Sequence, residues 1–198
     1  SEAKMRLQQL SEALGDWNAP AAWYQGAIKE RSEWEAHVQK QSGPTNQKEP
    51  SYAHAVGAVY RNADPSDIVV TAAGGLVGEV VQVWKPKQIN TFETEWGFSC
   101  MGYEISGALG IEMAKPDQEV VVFLGDGSYL LSNSDIYSSV LYDQKLIIVL
   151  CDNGGHMVIN RLQLAKGGKE YICNLRSARA KNLQFVDFEN HARSLGAN

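Results

Sequence analysis

No stretch of this sequence is apolar for long enough to cross a bilayer. The longest runs, residues 120–124 and 146–151, fall far short of the roughly 20 residues a spanning helix needs. Positive charge is scarce as well: 18 lysines and arginines stand against 23 acidic residues, for a formal net charge of −5. With no basic run, the chain lacks the electrostatic footprint of a nucleic-acid binder. Cysteine is sparse. Cys100, Cys151 and Cys173 are the only three, and they show no metal-ligand spacing. An odd, sparse count predicts reduced thiols in a cytoplasmic protein rather than a disulfide scaffold. Four scattered histidines form no zinc pattern. The N-terminal residues carry no apolar signal region. What is left, 198 residues at 44% hydrophobic and 21% charged, fits a globular chain with one full core.

The first third reads as helix. Residues 1–14 and 21–41 are helical, and in the second of these Trp23, Ala27, Trp34 and Val38 form an apolar stripe among charged residues. Residues 42–50, rich in Gly, Pro, Asn and Ser, read as a linker. This predicts a helical connection over 1–45 and a separate domain over 46–198.

Regular alternation follows. A helix capped by Ser51 runs to Arg61, a turn covers 62–65, and a strand covers 67–71. Glycines at 74–75 lead into a short helix. A strand is predicted over 88–93, a helix over 102–114, a strand over 119–124, a helix over 132–142 capped by Ser132, Asn133 or Ser134, and a strand over 145–150. Continuously apolar strands alternating with helices predict an α/β fold: a parallel sheet with helices on both faces. Cys151 closes the last strand and reads as a small core residue. The last residues read as a helix heading for a further element, so the sequence reads as a piece of a longer polypeptide.

Ligands of open parallel sheets bind beyond the carboxyl ends of the strands. Four glycine-bearing turns fall there: Gly74-Gly75, residues 97–102, Gly125-Asp126-Gly127 and Asn153-Gly154-Gly155. Glycine lets a backbone approach a phosphate and aim N–H groups at it, and helix N-termini add a favourable dipole. Asp126 and Asn153 supply oxygens for a hard cation of the Mg²⁺ type, which prefers about six oxygens shared with water and phosphate. Asp126, Asn153 and the Gly155 carbonyl are therefore the candidate metal ligands. A lone Gly-Asp-Gly is also a common turn. The specific feature is the whole arrangement: a strand, Gly125-Asp126-Gly127-Ser128, the span 128–151, then Asp152-Asn153-Gly154-Gly155 after a second strand.

At this point the chain resembles the thiamine-diphosphate enzymes, whose cofactor signature is Gly-Asp-Gly, about two dozen residues, then Asn-Asn. Asn153 matches the second Asn, and Asp152 departs from the first, which is not usually a ligand. The segment 92–110, with Gly97-Phe98-Ser99-Cys100-Met101-Gly102 at its centre, resembles the family's Gly-x-Met-Gly stretch. By that resemblance Met101 would be the apolar wedge that bends the cofactor. The backbones of Ser99 and Met101 would meet its aminopyrimidine. Gly74, Gly75, Gly125, Gly127, Ser128, His156 and Met157 would surround the diphosphate, the last three through backbone groups; His156 reads equally well as a surface-loop residue. Within the family, residues 91–105, Gly125–Leu130, the Asp-before-Asn turn and Ile159-Asn160-Arg161-Leu162-Gln163 resemble the hydrolases of inositol catabolism that open a cyclic 1,2-dione. This implies thiamine diphosphate and Mg²⁺ as cofactors, a small cyclic dione as substrate, and a homodimer or homotetramer. The activating Glu would come from a pyrimidine-binding domain of another subunit. Nothing in the sequence matches that domain, so no catalytic residue is expected here. Glu79, Glu93, Glu95 and Glu104 are candidates for local roles only. The alternatives are an acetolactate synthase or 2-oxo acid decarboxylase, and a non-catalytic domain kept for assembly.

Overall fold

The computed structural model describes residues 2–180, 182 and 184–198. Ser1, where the first helix was expected to begin, lies outside them. The chain divides into two compact units, residues 1–40 and 41–198. The first holds α1 (Glu2–Leu14) and most of α2 (Ala21–Ser42). Pairs four residues apart, Lys29–Glu33 and Arg31–Glu35, lie along α2 and add a few tenths of a kcal/mol each. Among the described residues no helix is long and apolar enough to cross a membrane.

The second unit is built on a four-stranded, all-parallel sheet. Its elements are α3 (Tyr52–Asn62), β1 (Ile68–Thr71), α4 (Leu76–Val83), β2 (Phe92–Thr94), α5 (Tyr103–Ala114), β3 (Val120–Gly125), α6 (Asp126–Leu131), α7 (Ser134–Leu141), β4 (Ile147–Cys151), α8 (Met157–Ala165) and α9 (Phe188–Ser194). The strands stand in the order β2-β1-β3-β4. Ser51 caps α3 as predicted: it accepts the His54 N–H, and the His54 ring accepts the Ser51 N–H in return.

Strand side chains alternate between faces, and both faces here are covered. Ile68, Val70, Val120, Val122 and Leu124 pack with Ile105, Ala108, Tyr129 and Ile136 of α5, α6 and α7. On the other face, Phe123 meets Trp84 edge-on at 6.0 Å between ring centres, and Trp84 meets Tyr60 at 5.4 Å. Val69, Val121 and Val80 are also fully or almost fully buried. Each such side chain contributes roughly 1.5–3 kcal/mol, which is why these runs are almost wholly apolar, with Thr71 the buried polar residue at the end of β1.

Several local expectations are corrected. The second strand lies at Phe92–Thr94 rather than 88–93; it pairs only through Phe92, Glu93 and Thr94, opposite Val69, Val70 and Thr71. Gly125-Asp126-Gly127 is not a free turn. Helix α6 starts at Asp126 directly from β3, and the helix predicted over 132–142 is the separate α7. None of Ser132, Asn133 and Ser134 caps α7 through its side chain; Asn133 donates instead to the Tyr129 carbonyl at 3.1 Å. Cys151 is half-buried rather than a core residue, because β4 is an edge strand; burial still pushes its thiol up to about 11.

Candidate functional site

Strand order fixes where a ligand can enter. From β1 the chain crosses outward to β2, and from β3 it crosses the other way to β4. The segments leaving β1 and β3 therefore diverge and open a crevice between the two carboxyl ends. A cavity of about 200 Å³ lies in this crevice. All twelve residues singled out from the sequence line it: Gly74, Gly75, Ser99, Met101, Gly125, Asp126, Gly127, Ser128, Asn153, Gly155, His156 and Met157. Tyr52, Ala73, Leu76, Val158 and Ile159 complete the wall.

Asp126 sits at the floor, 1% exposed. Its Oδ1 accepts the Asn153 N–H at 3.4 Å, and no cationic side chain pairs with it among the described residues. Burial raises its carboxyl above the usual aspartate range, with the Asp152 charge adding to the effect, while backbone N–H groups of Asn153 and Gly155 pull the other way. A buried carboxylate in this condition gains from a bound cation. Asn153 comes in from the end of β4. Its amide nitrogen donates to the Tyr52 hydroxyl, which leaves the amide oxygen as the atom for a ligand. No group of three or more His, Cys, Asp or Glu is arranged to hold a metal among the described residues. The oxygen-bearing side chains that the cavity wall offers beside Gly155 thus include one carboxylate, Asp126, and one amide, Asn153. That set suits a hard divalent cation whose remaining positions are filled by phosphate and water.

The turn after β4 is set by its own residues. Asp152 accepts the Gly154 N–H at 2.9 Å, an Asx turn that an Asn at this position would also close. Gly155 has φ +135, and a Cβ there would run into the Cys173 carbonyl. The segment 173–175 braces the turn: His156 N–H donates to the Cys173 carbonyl at 2.8 Å and Leu175 N–H to the Gly154 carbonyl at 2.9 Å. This corrects one expectation. The His156 N–H is engaged by the Cys173 carbonyl and unavailable to a phosphate, and its ring lies against Gly127. The first-turn N–H groups of α6 and α8, Gly127, Ser128 and Met157 among them, have no acceptor within their helices.

The Met101 loop is held from three sides. Glu95 takes the Cys100 N–H at 2.7 Å and the Phe98 N–H at 2.8 Å. These bonds hold its carboxyl below the ordinary range, so Glu95 is a loop brace. Glu104, fully buried, accepts the Gly102 N–H at 2.8 Å and the Ala73 N–H at 3.2 Å, tying this loop to the end of β1. Ser99 donates to the Ala72 carbonyl at 3.1 Å and adopts φ +51, a left-handed conformation that costs about 1–2 kcal/mol outside glycine. The Met101 methyl ends 3.1 Å from where a Cβ on Gly127 would stand, so the thioether lies directly over the Gly-Asp-Gly segment.

Sequence reading missed Tyr52 and the bracing role of Glu104. The Tyr52–Asn153 pair spans 101 positions, and no local pattern signals it. Burial raises the Tyr52 hydroxyl above its ordinary pKa, so it stays a neutral hydrogen-bonding group at neutral pH. Tyr52→Phe is expected to free the Asn153 amide and to weaken cation-dependent cofactor binding about 10-fold, as loss of a ligand's supporting partner does. The apoprotein melting temperature should hold. Titration calorimetry beside a thermal melt checks both.

The family model described as "Thiamine pyrophosphate enzyme, C-terminal TPP binding domain" matches residues 72–198. Among curated relatives, the 3D-(3,5/4)-trihydroxycyclohexane-1,2-dione hydrolase of Halalkalibacterium halodurans is 38% identical over 151 residues, covering 76% of this chain and 24% of that protein. The protein of the same name from Lacticaseibacillus casei is 35% identical over 194 residues, 98% of this chain and 30% of the relative. That of Listeria innocua is 41% identical over 152 residues, 76% and 24%. The chain thus spans about a quarter to a third of the length of these relatives.

Proposed function

The chain belongs to the thiamine pyrophosphate enzymes through their C-terminal TPP-binding domain, and from that premise we propose that it is the diphosphate- and cation-holding part of a hydrolase that opens a cyclic 1,2-dione in inositol catabolism. The relatives named above support the substrate class. The observation that carries the cofactor reading is Asp126, buried without a cationic partner among the described residues at the floor of a glycine-lined cavity.

In this reading Asp126, the Asn153 amide oxygen and the Gly155 carbonyl hold Mg²⁺. Gly74, Gly75, Gly125 and Gly127 let the backbone close on the diphosphate, with Ser128 and Met157 contributing N–H groups and His156 its ring. The Ser99 and Met101 backbones would meet the aminopyrimidine, and the Met101 side chain would pack beneath the cofactor. When bound, thiamine diphosphate would supply a nucleophilic carbon and an electron sink for chemistry at a carbonyl. The residues of this chain bind, orient and exclude water. The glutamate that activates the cofactor is supplied from outside this chain, by a pyrimidine-binding domain of a second subunit, which makes the enzyme at least a homodimer. Glu95 and Glu104 are committed to backbone N–H groups and leave no carboxylate free for that task in the Met101 loop. The three free thiols fit a cytoplasmic setting.

The test is an assay of the complete polypeptide with thiamine pyrophosphate and Mg²⁺. Ring opening of the cyclic trihydroxy-dione should exceed pyruvate decarboxylation, and the isolated chain should bind cofactor weakly and turn over neither. Pyruvate turnover without dione hydrolysis would move the protein to the acetolactate synthase or decarboxylase class. Tight cofactor binding without any turnover would make it an assembly domain.

A further inference from the structure

The lining of the cavity contains no lysine or arginine. A diphosphate carries more negative charge than a divalent cation can offset once Asp126 has cancelled half of that cation's charge. A cationic side chain stands beside these lining residues, against Gly75. Arg161, on α8, follows Met157 by four positions and Val158 by three, so it shares their face of the helix, and both of those residues line the cavity. Its guanidinium lies against Gly75, where a β-carbon would collide with Nη2 and stand 3.6 Å from Cζ. Gly75 itself has an ordinary right-handed backbone; the missing side chain, and no unusual dihedral, is what this position requires. Arg161 makes no hydrogen bond or ion pair with any described residue. An unpaired surface arginine ordinarily extends its head into water, whereas this one is folded over a glycine at the mouth of an anion site.

We propose that Arg161 is an anion-binding residue of this site: admitted by the bare backbone of Gly75, its guanidinium binds the terminal phosphate of the cofactor's diphosphate. A planar guanidinium suits the bidentate recognition of phosphate oxygens, and at the cavity rim it leaves the cation side to Asp126 and Asn153. The proposal rests on the thiamine pyrophosphate reading given above.

The experiment uses the complete polypeptide at fixed Mg²⁺ and measures the Kd of thiamine pyrophosphate directly and that of thiamine, which has no phosphate, by displacement. Arg161→Gln should weaken thiamine pyrophosphate about 10-fold or more, leave thiamine affinity and the apoprotein melting temperature unchanged, and lose its difference from wild type as salt rises. Arg161→Lys should recover part of the loss. Gly75→Ala should reproduce the loss by displacing the guanidinium, and the double variant should be no worse than either single one. Equal thiamine pyrophosphate affinity in wild type and Arg161→Gln overturns this inference and leaves the cofactor reading standing. A parallel fall in thiamine affinity overturns it too, because it marks a structural role. Additive losses in the double variant overturn the pairing with Gly75. A wild-type protein that binds no thiamine pyrophosphate at all overturns the cofactor reading and this inference together.

Discussion

Asp126→Asn in the complete polypeptide loses Mg²⁺-dependent thiamine pyrophosphate binding by at least about 100-fold, while the apoprotein melts at a higher temperature than wild type. The two effects have one origin. The carboxylate is 1% exposed and lacks a cationic partner among the described residues, so burial raises its pKa. For an acid raised above its unfolded value, the folded state binds the extra proton. Its contribution to stability is greatest below the unfolded aspartate value, 3.8, and is lost as pH rises through the higher folded value. At neutral pH the ionised Asp126 is therefore a cost to the apoprotein. The isosteric amide removes that cost and still accepts the Asn153 N–H. A bound cation needs the ionised form, so cofactor affinity should fall on acidification at a pH above that of an ordinary aspartate. Thermal melts of both apoproteins, with cofactor titrations across pH, read out all three results. An apoprotein destabilised by Asp126→Asn would show that the carboxylate holds the fold and does not serve a ligand. A stabilised apoprotein that no longer binds cofactor would instead mark the site as one more case of local stability given up for function.

Gly155→Ala is expected to damage the turn after β4 more than any other single methyl group at this site. The position needs φ +135, and the added carbon meets the Cys173 carbonyl. Backbone strain and the collision together cost about 3 kcal/mol or more. Relief comes only by moving segment 173–175 away, which breaks the His156–Cys173 and Leu175–Gly154 backbone bonds. Asn153, two residues back, then loses its place opposite Asp126, and Mg²⁺-dependent binding is lost with it. Hydrogen exchange over residues 152–177 should accelerate while the β1–β3 strands stay protected. Uniform protection across both regions would show that the turn tolerates the methyl group.

The sequence carried three of the strands and their direction, because a covered parallel sheet demands nearly unbroken apolar runs, and residues 68–70, 120–124 and 147–150 are such runs even though the edge strand β4 is only partly covered. It carried the glycine turns with Asp126 and Asn153 too, since glycines and oxygen ligands at strand ends are local signals, whereas Ser99, Met101, Ser128, His156 and Met157 came only through the family resemblance. It misplaced β2, whose three residues are chosen by pairing with β1 rather than by their own pattern. It took Gly125-Asp126-Gly127 for a turn, where packing of Tyr129 into the core makes the chain enter helix α6 at once. It did not foresee helix α8, which carries Arg161.

The residues alone therefore determined the sheet, the Asp126–Asn153 pair and the family they resemble. Tertiary structure decided what supports and charges that pair: Tyr52 on Asn153, Glu104 between Ala73 and Gly102, the 173–175 segment under Gly155, and Arg161 over Gly75. Each of these contacts joins side chains or backbone from separate elements. Chain entropy places no such partners from local sequence; only the closed core, with β1 and β3 side by side, brings them within hydrogen-bond range.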